Sequence, residues 1–251
     1  MRHIRLILAA SIAKAEAKRR GEKGCGRVCV IDTENGRASL YAGHACLPEG
    51  FEFDRAIIKA PFEPRNYIKL IEESAREKYD VVIVDSLSHA WAGKGGMLDM
   101  KDRAGEGFQG WRKVSQQHAR LVDSLLQTNI HLIGTCRSKT EYAMIDDPNK
   151  KGRKSVKKLG MAPIFRDGLE YEFMVVWEID MDHLATPSKD NTSLFDTPDG
   201  KIIEVIGSFH GDRITHWLYD FEEESEEPEP EEEEEAPAAV AETEEEEDLF
   251  A

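Results

Sequence analysis

VCVIDTENG at residues 28–36 and VVIVDS at residues 81–86 decide how this chain folds. Each is a short apolar run closed by an acidic residue, Asp32 in the first and Asp85 in the second. Unbroken Val/Ile runs suit strands buried on both faces, the condition of a parallel sheet covered by helices. Parallel strands deliver their last residues to one edge, so the two carboxylates are expected side by side there. That edge is where open α/β sheets place their sites. The surrounding pattern agrees. Helix-period apolar positions run from Ile4 to about Arg20 and stop at Gly21 and the Gly24-Cys25-Gly26 turn. Tyr67, Leu70, Ile71 and Ala75 mark one face of a second helix, and Val114, Leu121, Val122, Leu125 and Leu126 that of a third. Further strands are expected at residues 53–60, 130–135, 173–179 and 201–205. Strands alternating with helices of this length predict an α/β fold, mainly a parallel sheet with helices on both faces.

Charge divides the chain in two. The formal net charge is −16, yet residues 222–251 hold seventeen of the 49 acidic residues and no Lys or Arg. Residues 1–221 are left with 32 acidic against 33 basic residues and are electrically balanced. The division expected is a core at 1–221 and an acidic tail at 222–251 too poor in apolar surface to stay folded. A balanced core can still offer a local basic patch to nucleic acid. Cys25, Cys29, Cys46 and Cys136 have no zinc-type pairing, and a chain of this size needs no disulfide staples, so a reducing cytosol is the simplest setting. The eight histidines show no metal-binding spacing. The opening MRHIRLILAASIAKAEA has a basic end and an apolar stretch, as a signal peptide would, but Arg5 interrupts it and the apolar period continues into KAEAKRR. An amphipathic first helix is the better reading. No run reaches the roughly 18 apolar residues of a membrane span.

Two segments resist the alternation. Residues 92–112 (AGKGGMLDMKDRAGEGFQGWR) are Gly-rich with scattered cations, and residues 138–166 carry a Lys/Arg cluster. Both are read as long loops of functional type, and both follow a strand of the expected sheet.

The strand ends suggest a chemistry. Phosphoryl transfer from ATP needs a cradle for the phosphates, a carboxylate for Mg²⁺ and a group that orients the attacking water. Asp85, with Ser86 beside it, suits the metal carboxylate, although an apolar run followed by Asp also arises by chance. Glu34 could activate water across the site, or could belong to an acidic turn, because Asn35-Gly36 is itself a turn signal. Thr135 could sense a terminal phosphate or simply end its strand. The cradle is not evident: no G-x-x-x-x-G-K-[ST] occurs, and Gly93-Lys94-Gly95 and Gly200-Lys201-Ile202 lack the hydroxyl residue.

IDTENGRASLYA, YDVVIVDSLSHAW, GWRKVSQQHARLVDSLL, HLIGTCRSKTEY and LGMAPIFRDGLEYEFMVVWEID follow one another in an order that resembles the RecA-like, AAA-type ATPases of bacteriophages and prophages. That group lies within the P-loop NTPases and includes single-strand annealing and recombination proteins. The resemblance spans most of residues 28–180. It implies ATP and Mg²⁺ as ligands, with catalytic roles for Glu34, Asp85 and Thr135 and metal contact at Asp85 and Ser86. It also implies a homo-oligomer with ATP between subunits, where Arg137 or Lys139 could be supplied in trans. The two long loops match the places where such proteins hold single-stranded DNA. The first offers Lys94, Lys101, Arg103, Arg112 and Lys113 with Trp111, and the second Lys150, Lys151, Arg153, Lys154, Lys157 and Lys158. Trp111 could equally be core.

In that family the first strand and the Gly-rich GKT/GKS loop precede the helix that here begins near Ile4. The chain therefore reads as shortened at its N-terminus, and as written it is expected to bind ATP weakly or not at all. Three functions stay open: a phage-type RecA-like ATPase acting on single-stranded DNA in the host cytosol, a non-catalytic DNA- or protein-binding module derived from it, and a different P-loop-like enzyme such as a helicase loader or nucleotide kinase. The tail could be a plain solvated segment, an internal mimic of nucleic acid, or, through Leu249 and Phe250, a lure for single-stranded-DNA-binding or repair proteins.

Overall fold

The computed structural model describes residues 2–105, 107–146 and 154–225. Helix α1 (Arg2–Arg19) is followed by strand β1 (Val28–Asp32), a 3₁₀ turn at Arg37–Tyr41, β2 (Asp54–Ile57) and α2 (Pro64–Arg76). Strand β3 (Val81–Asp85) leads through α3 (Ser88–Ala92) and α4 (Met97–Arg103) to the long α5 (Phe108–Leu126) and β4 (His131–Thr135). These four strands form one parallel sheet in the order β2-β1-β3-β4.

The sheet is covered on both faces because its central strands alternate. Val28, Val30, Val81 and Ile83 point to one side, into a cluster with Ile4, Leu6, Leu8, Ala9, Ala10, Ile12 and Ala13 of α1. Cys29, Ile31, Val82 and Val84 point to the other, against Tyr67 and Ile71 of α2 and Val114, Leu121 and Leu125 of α5. All ten residues of β1 and β3 are buried, which is why the two strands read as continuous apolar runs. Outside α1 lies a last helix, α6 (Ser208–Ser225), held to it by Ser11, whose Oγ lies 2.8 Å from Asp212 Oδ1.

Four sequence expectations need correction. Residues 92–112 are not an open loop: they hold α4 and the start of α5, and Gly95 packs against Pro61 too closely to admit a side chain. Residues 138–166 are not a loop either but an antiparallel hairpin, β5 (Ser138–Asp146) with β6 (Lys154–Pro163). The apolar strand at 173–179 does not join the parallel sheet. As β7 (Val175–Ile179) it pairs antiparallel with β8 (Ala185–Asp190), because the short turn between them permits only a hairpin. Residues 201–205 supply only the end of a two-residue ladder, β9 (Asp196–Thr197) with β10 (Gly200–Lys201), and a single bridge from Glu204 to Ala185.

Candidate active site at the strand ends

Parallel register brings the strand-end residues together. Asp32 of β1 is level with Asp85 of β3, which is level with Thr135 of β4. Beyond those ends the backbone turns through Thr33-Glu34, Ser86-Leu87 and Cys136-Arg137, and the side chains of these turns interlock.

Asp32 ends a buried strand, and its carboxylate folds back on its own loop. Oδ1 accepts the Glu34 N–H at 2.6 Å and Oδ2 the Ala38 N–H at 3.0 Å. That Asx-type closure fixes Glu34. The turn continues through Asn35 and Gly36, both at positive φ (59° and 76°), as the Asn-Gly pair announced. Glu34 is buried and lies under Arg137, whose Nε and Nη2 donate to Oε1 at 2.9 and 2.5 Å. His89 of α3 is close to the same oxygen, 4.0 Å from its Nδ1, and that nitrogen is 2.7 Å from the Thr33 hydroxyl. Phe62 stacks on the imidazole with centroids 4.7 Å apart. Burial, and then the Arg137 charge, push the His89 pKa below its ordinary value and favour the neutral ring.

Asp85 is held from two other directions. Thr135 Oγ1 donates to its Oδ1 at 2.8 Å, and the guanidinium of Arg5, in the second turn of α1, pairs with Oδ2. The Asp85–Ser86 peptide is cis. Thr33 binds this turn to β1, accepting the Ser86 N–H at 2.8 Å and donating to the Asp85 carbonyl at 3.1 Å. Ser86 is buried and its Oγ has no hydrogen-bond partner among the described residues.

Of the expected site residues, Glu34, Asp85, Ser86, Thr135 and Arg137 thus converge at one edge. Lys139, in β5, is exposed two residues beyond Arg137. The arrangement gives a carboxylate beside a guanidinium, a pair suited to ordering water against an anionic substrate. The residues present do not fit Mg²⁺ as they are folded. A metal carboxylate must offer an oxygen to the ion, and both oxygens of Asp85 are already engaged. Sequence reasoning missed Arg5 and His89, and it gave Asp32 no role beyond ending its strand. Only Arg5 left a signal: a charged residue on the apolar face of a helix that must be buried.

The cations read as DNA contacts are organised differently from expectation. Lys101 and Arg103 lie on α4, with Lys101 paired to Asp102 at 3.1 Å and 6.0 Å above the Trp111 ring. Arg112 and Lys113 are exposed on the first turns of α5, and Lys94 is exposed between α3 and α4. Trp111 is 39 % exposed and leans on Trp91 with centroids 6.4 Å apart, so it is neither wholly core nor free. The foot of the β5–β6 hairpin packs here too, through Phe165 against Trp91 at 5.8 Å and Arg166 against Ser115 at 3.3 Å. Lys154, Lys157 and Lys158 belong to β6, whereas Lys150, Lys151 and Arg153 lie outside the described residues.

A parallel sheet between helices, with acidic strand ends aligned at one edge, is the architecture of AAA-type NTPases. The chain belongs to the AAA domain family, whose model matches residues 16–202, well over half of its length. Membership implies a nucleotide-binding, ATPase-like function. No curated protein matches the chain. None of the helices among the described residues is long and apolar enough to cross a membrane.

Proposed function

We propose that the chain is a RecA-like ATPase core of the phage type that works on single-stranded DNA in recombination or annealing. The observation that carries the nucleotide half is the level register of Asp32, Asp85 and Thr135 with Glu34 and Arg137 beside it. Glu34 is the base that orients a water for attack on the terminal phosphorus. To do so its Oε1 exchanges the Arg137 contacts for that water. The released guanidinium then neutralises charge developing on the phosphoryl oxygens. Thr135 reads the outcome through its hydroxyl on Asp85. Subunits assemble so that Lys139 of one copy faces the nucleotide of the next. With no phosphate-cradling motif among the 251 residues, ATP binding is weak. The DNA half rests on the cations and the half-exposed Trp111 of α4 and α5, where phosphates are neutralised and a base stacks.

A second reading is favoured by one observation: Glu34 and Asp85 both already carry cationic partners inside the chain. A binding module with no turnover needs nothing more. Labelled-ATP hydrolysis at high nucleotide concentration separates the two. Turnover abolished by Glu34→Gln supports the ATPase, and turnover unchanged by that substitution sinks it. Fluorescence anisotropy with a single-stranded oligonucleotide tests the DNA half. Replacing Lys94, Lys101, Arg103, Arg112 and Lys113 together by Ala should weaken binding and flatten its salt dependence. An unaltered salt slope removes α4 and α5 from the interface.

A further inference from the structure

Helix α1 is the core helix of one face of the sheet, and Arg5 sits on its buried side with 5 % of its surface exposed. A guanidinium there is expensive to bury alone. It pairs with the carboxylate of Asp85, itself 6 % exposed. Three elements meet at that carboxylate: α1 gives a charge to Oδ2, β4 gives the Thr135 hydroxyl to Oδ1 at 2.8 Å, and β3 supplies the carboxylate. A divalent ion at Asp85 would need one of these oxygens at about 2.0–2.1 Å for Mg²⁺. The guanidinium excludes it by volume and by like charge.

We infer that Arg5 is the resident cation of the strand-end site, standing on Asp85 where the family places a divalent metal. The site is neutralised by the chain itself, and Asp85 acquires affinity for a divalent ion only when Arg5 is withdrawn or removed. The inference concerns the same edge as the proposed function and rests on reading it as the nucleotide site. Its tests use no nucleotide, so the two can fail separately.

The probe is Mn²⁺ titrated into the full chain and followed by electron paramagnetic resonance, with folding checked by circular dichroism. The unsubstituted chain and Asp85→Asn should give superimposable isotherms, made up only of weak sites on the acidic residues 222–251. Arg5→Met should gain one tighter site, and the double variant R5M/D85N should lose it again. Thermal melting supplies the second readout. Each single substitution leaves one buried charge uncompensated and lowers Tm, and the double variant, with neither charge, should melt above both singles. A site lost from the unsubstituted chain on Asp85→Asn overturns the inference, because a metal would then share Asp85 with Arg5. So does a folded Arg5→Met that gains no site, or a double variant whose Tm loss is the sum of the singles. Should Arg5→Met not fold, the comparison of the unsubstituted chain with Asp85→Asn still decides.

Discussion

Asp32 shows how a single carboxylate can matter without touching a substrate. Its two oxygens satisfy the buried N–H groups of Glu34 and Ala38, so the loop carrying Glu34 is set by the residue that ends the strand. Asp32→Ala leaves both donors unpaired, and we expect a loss of about 1–3 kcal/mol for each in urea unfolding. An unchanged midpoint would show that the loop finds other partners. His210 makes a different residue-scale argument. It is 1 % exposed, stacked on Phe195 at 5.3 Å and flanked by Trp177 and Phe209. Burial lowers its pKa below the ordinary 6.5, opposed by Glu204 at 3.5 Å and assisted by Arg213. The unfolded chain then binds the proton more tightly than the fold does. Stability is complete above pH 6.5 and declines as pH falls from there toward the lowered value. His118 and His89 shift in the same direction, also chiefly through burial. Melting scans between pH 7 and 5 should show a falling Tm, with a shallower slope in His210→Gln; an identical slope would remove His210 from the account. Asp85 and Thr135 were legible because each closes an apolar strand, and Glu34 because it follows two residues after one. Their partners were not, since Arg5 and Arg137 lie far from them along the chain.

At the scale of elements, the contact between α1 and α6 holds the outer layer of one face. It is close because Gly211 has no side chain: a Cβ there would lie 2.5 Å from Ser11 Oγ and 3.1 Å from the Ile12 backbone nitrogen. Gly211→Ala should push α6 away and lower stability by about 1–3 kcal/mol. A denaturation midpoint equal to the unsubstituted chain's would mean that α6 adds nothing to the core. The strands β1 and β3 were legible to the residue, because complete burial on two faces leaves an apolar run with a sharp acidic end. The hairpin β5–β6 was not legible. Its strands are rich in Lys and polar residues and carry no strand period, and what defines them is their pairing with each other. Helix α4 was hidden for a related reason. It is only seven residues long and lies between Gly-rich turns, so the segment reads as loop.

For the whole molecule, the separation of charge is the feature with a consequence in solution. A balanced core and a tail holding seventeen carboxylates place opposite charges on one chain at high effective concentration. If the tail competes for the cations of α4 and α5, removing residues 226–251, which lie beyond the last described residue of α6, should tighten binding of single-stranded oligonucleotide at low salt. The gain should vanish at high salt as the attraction is screened. Equal affinity at low salt would leave the tail a solvated appendage. The sequence by itself determined the class of fold and the parallel sheet, and it marked the edge and three residues of the candidate site. Those follow from local periodicity and from the rule that parallel strands end together. Only the tertiary structure decided which charges meet: Arg5 with Asp85 and Arg137 with Glu34. Ion pairs between distant segments leave no period in a sequence, and their partners are chosen by burial and distance, which exist only after the chain has folded. VCVIDTENG and VVIVDS located Glu34 and Asp85, and the fold gave each its cation.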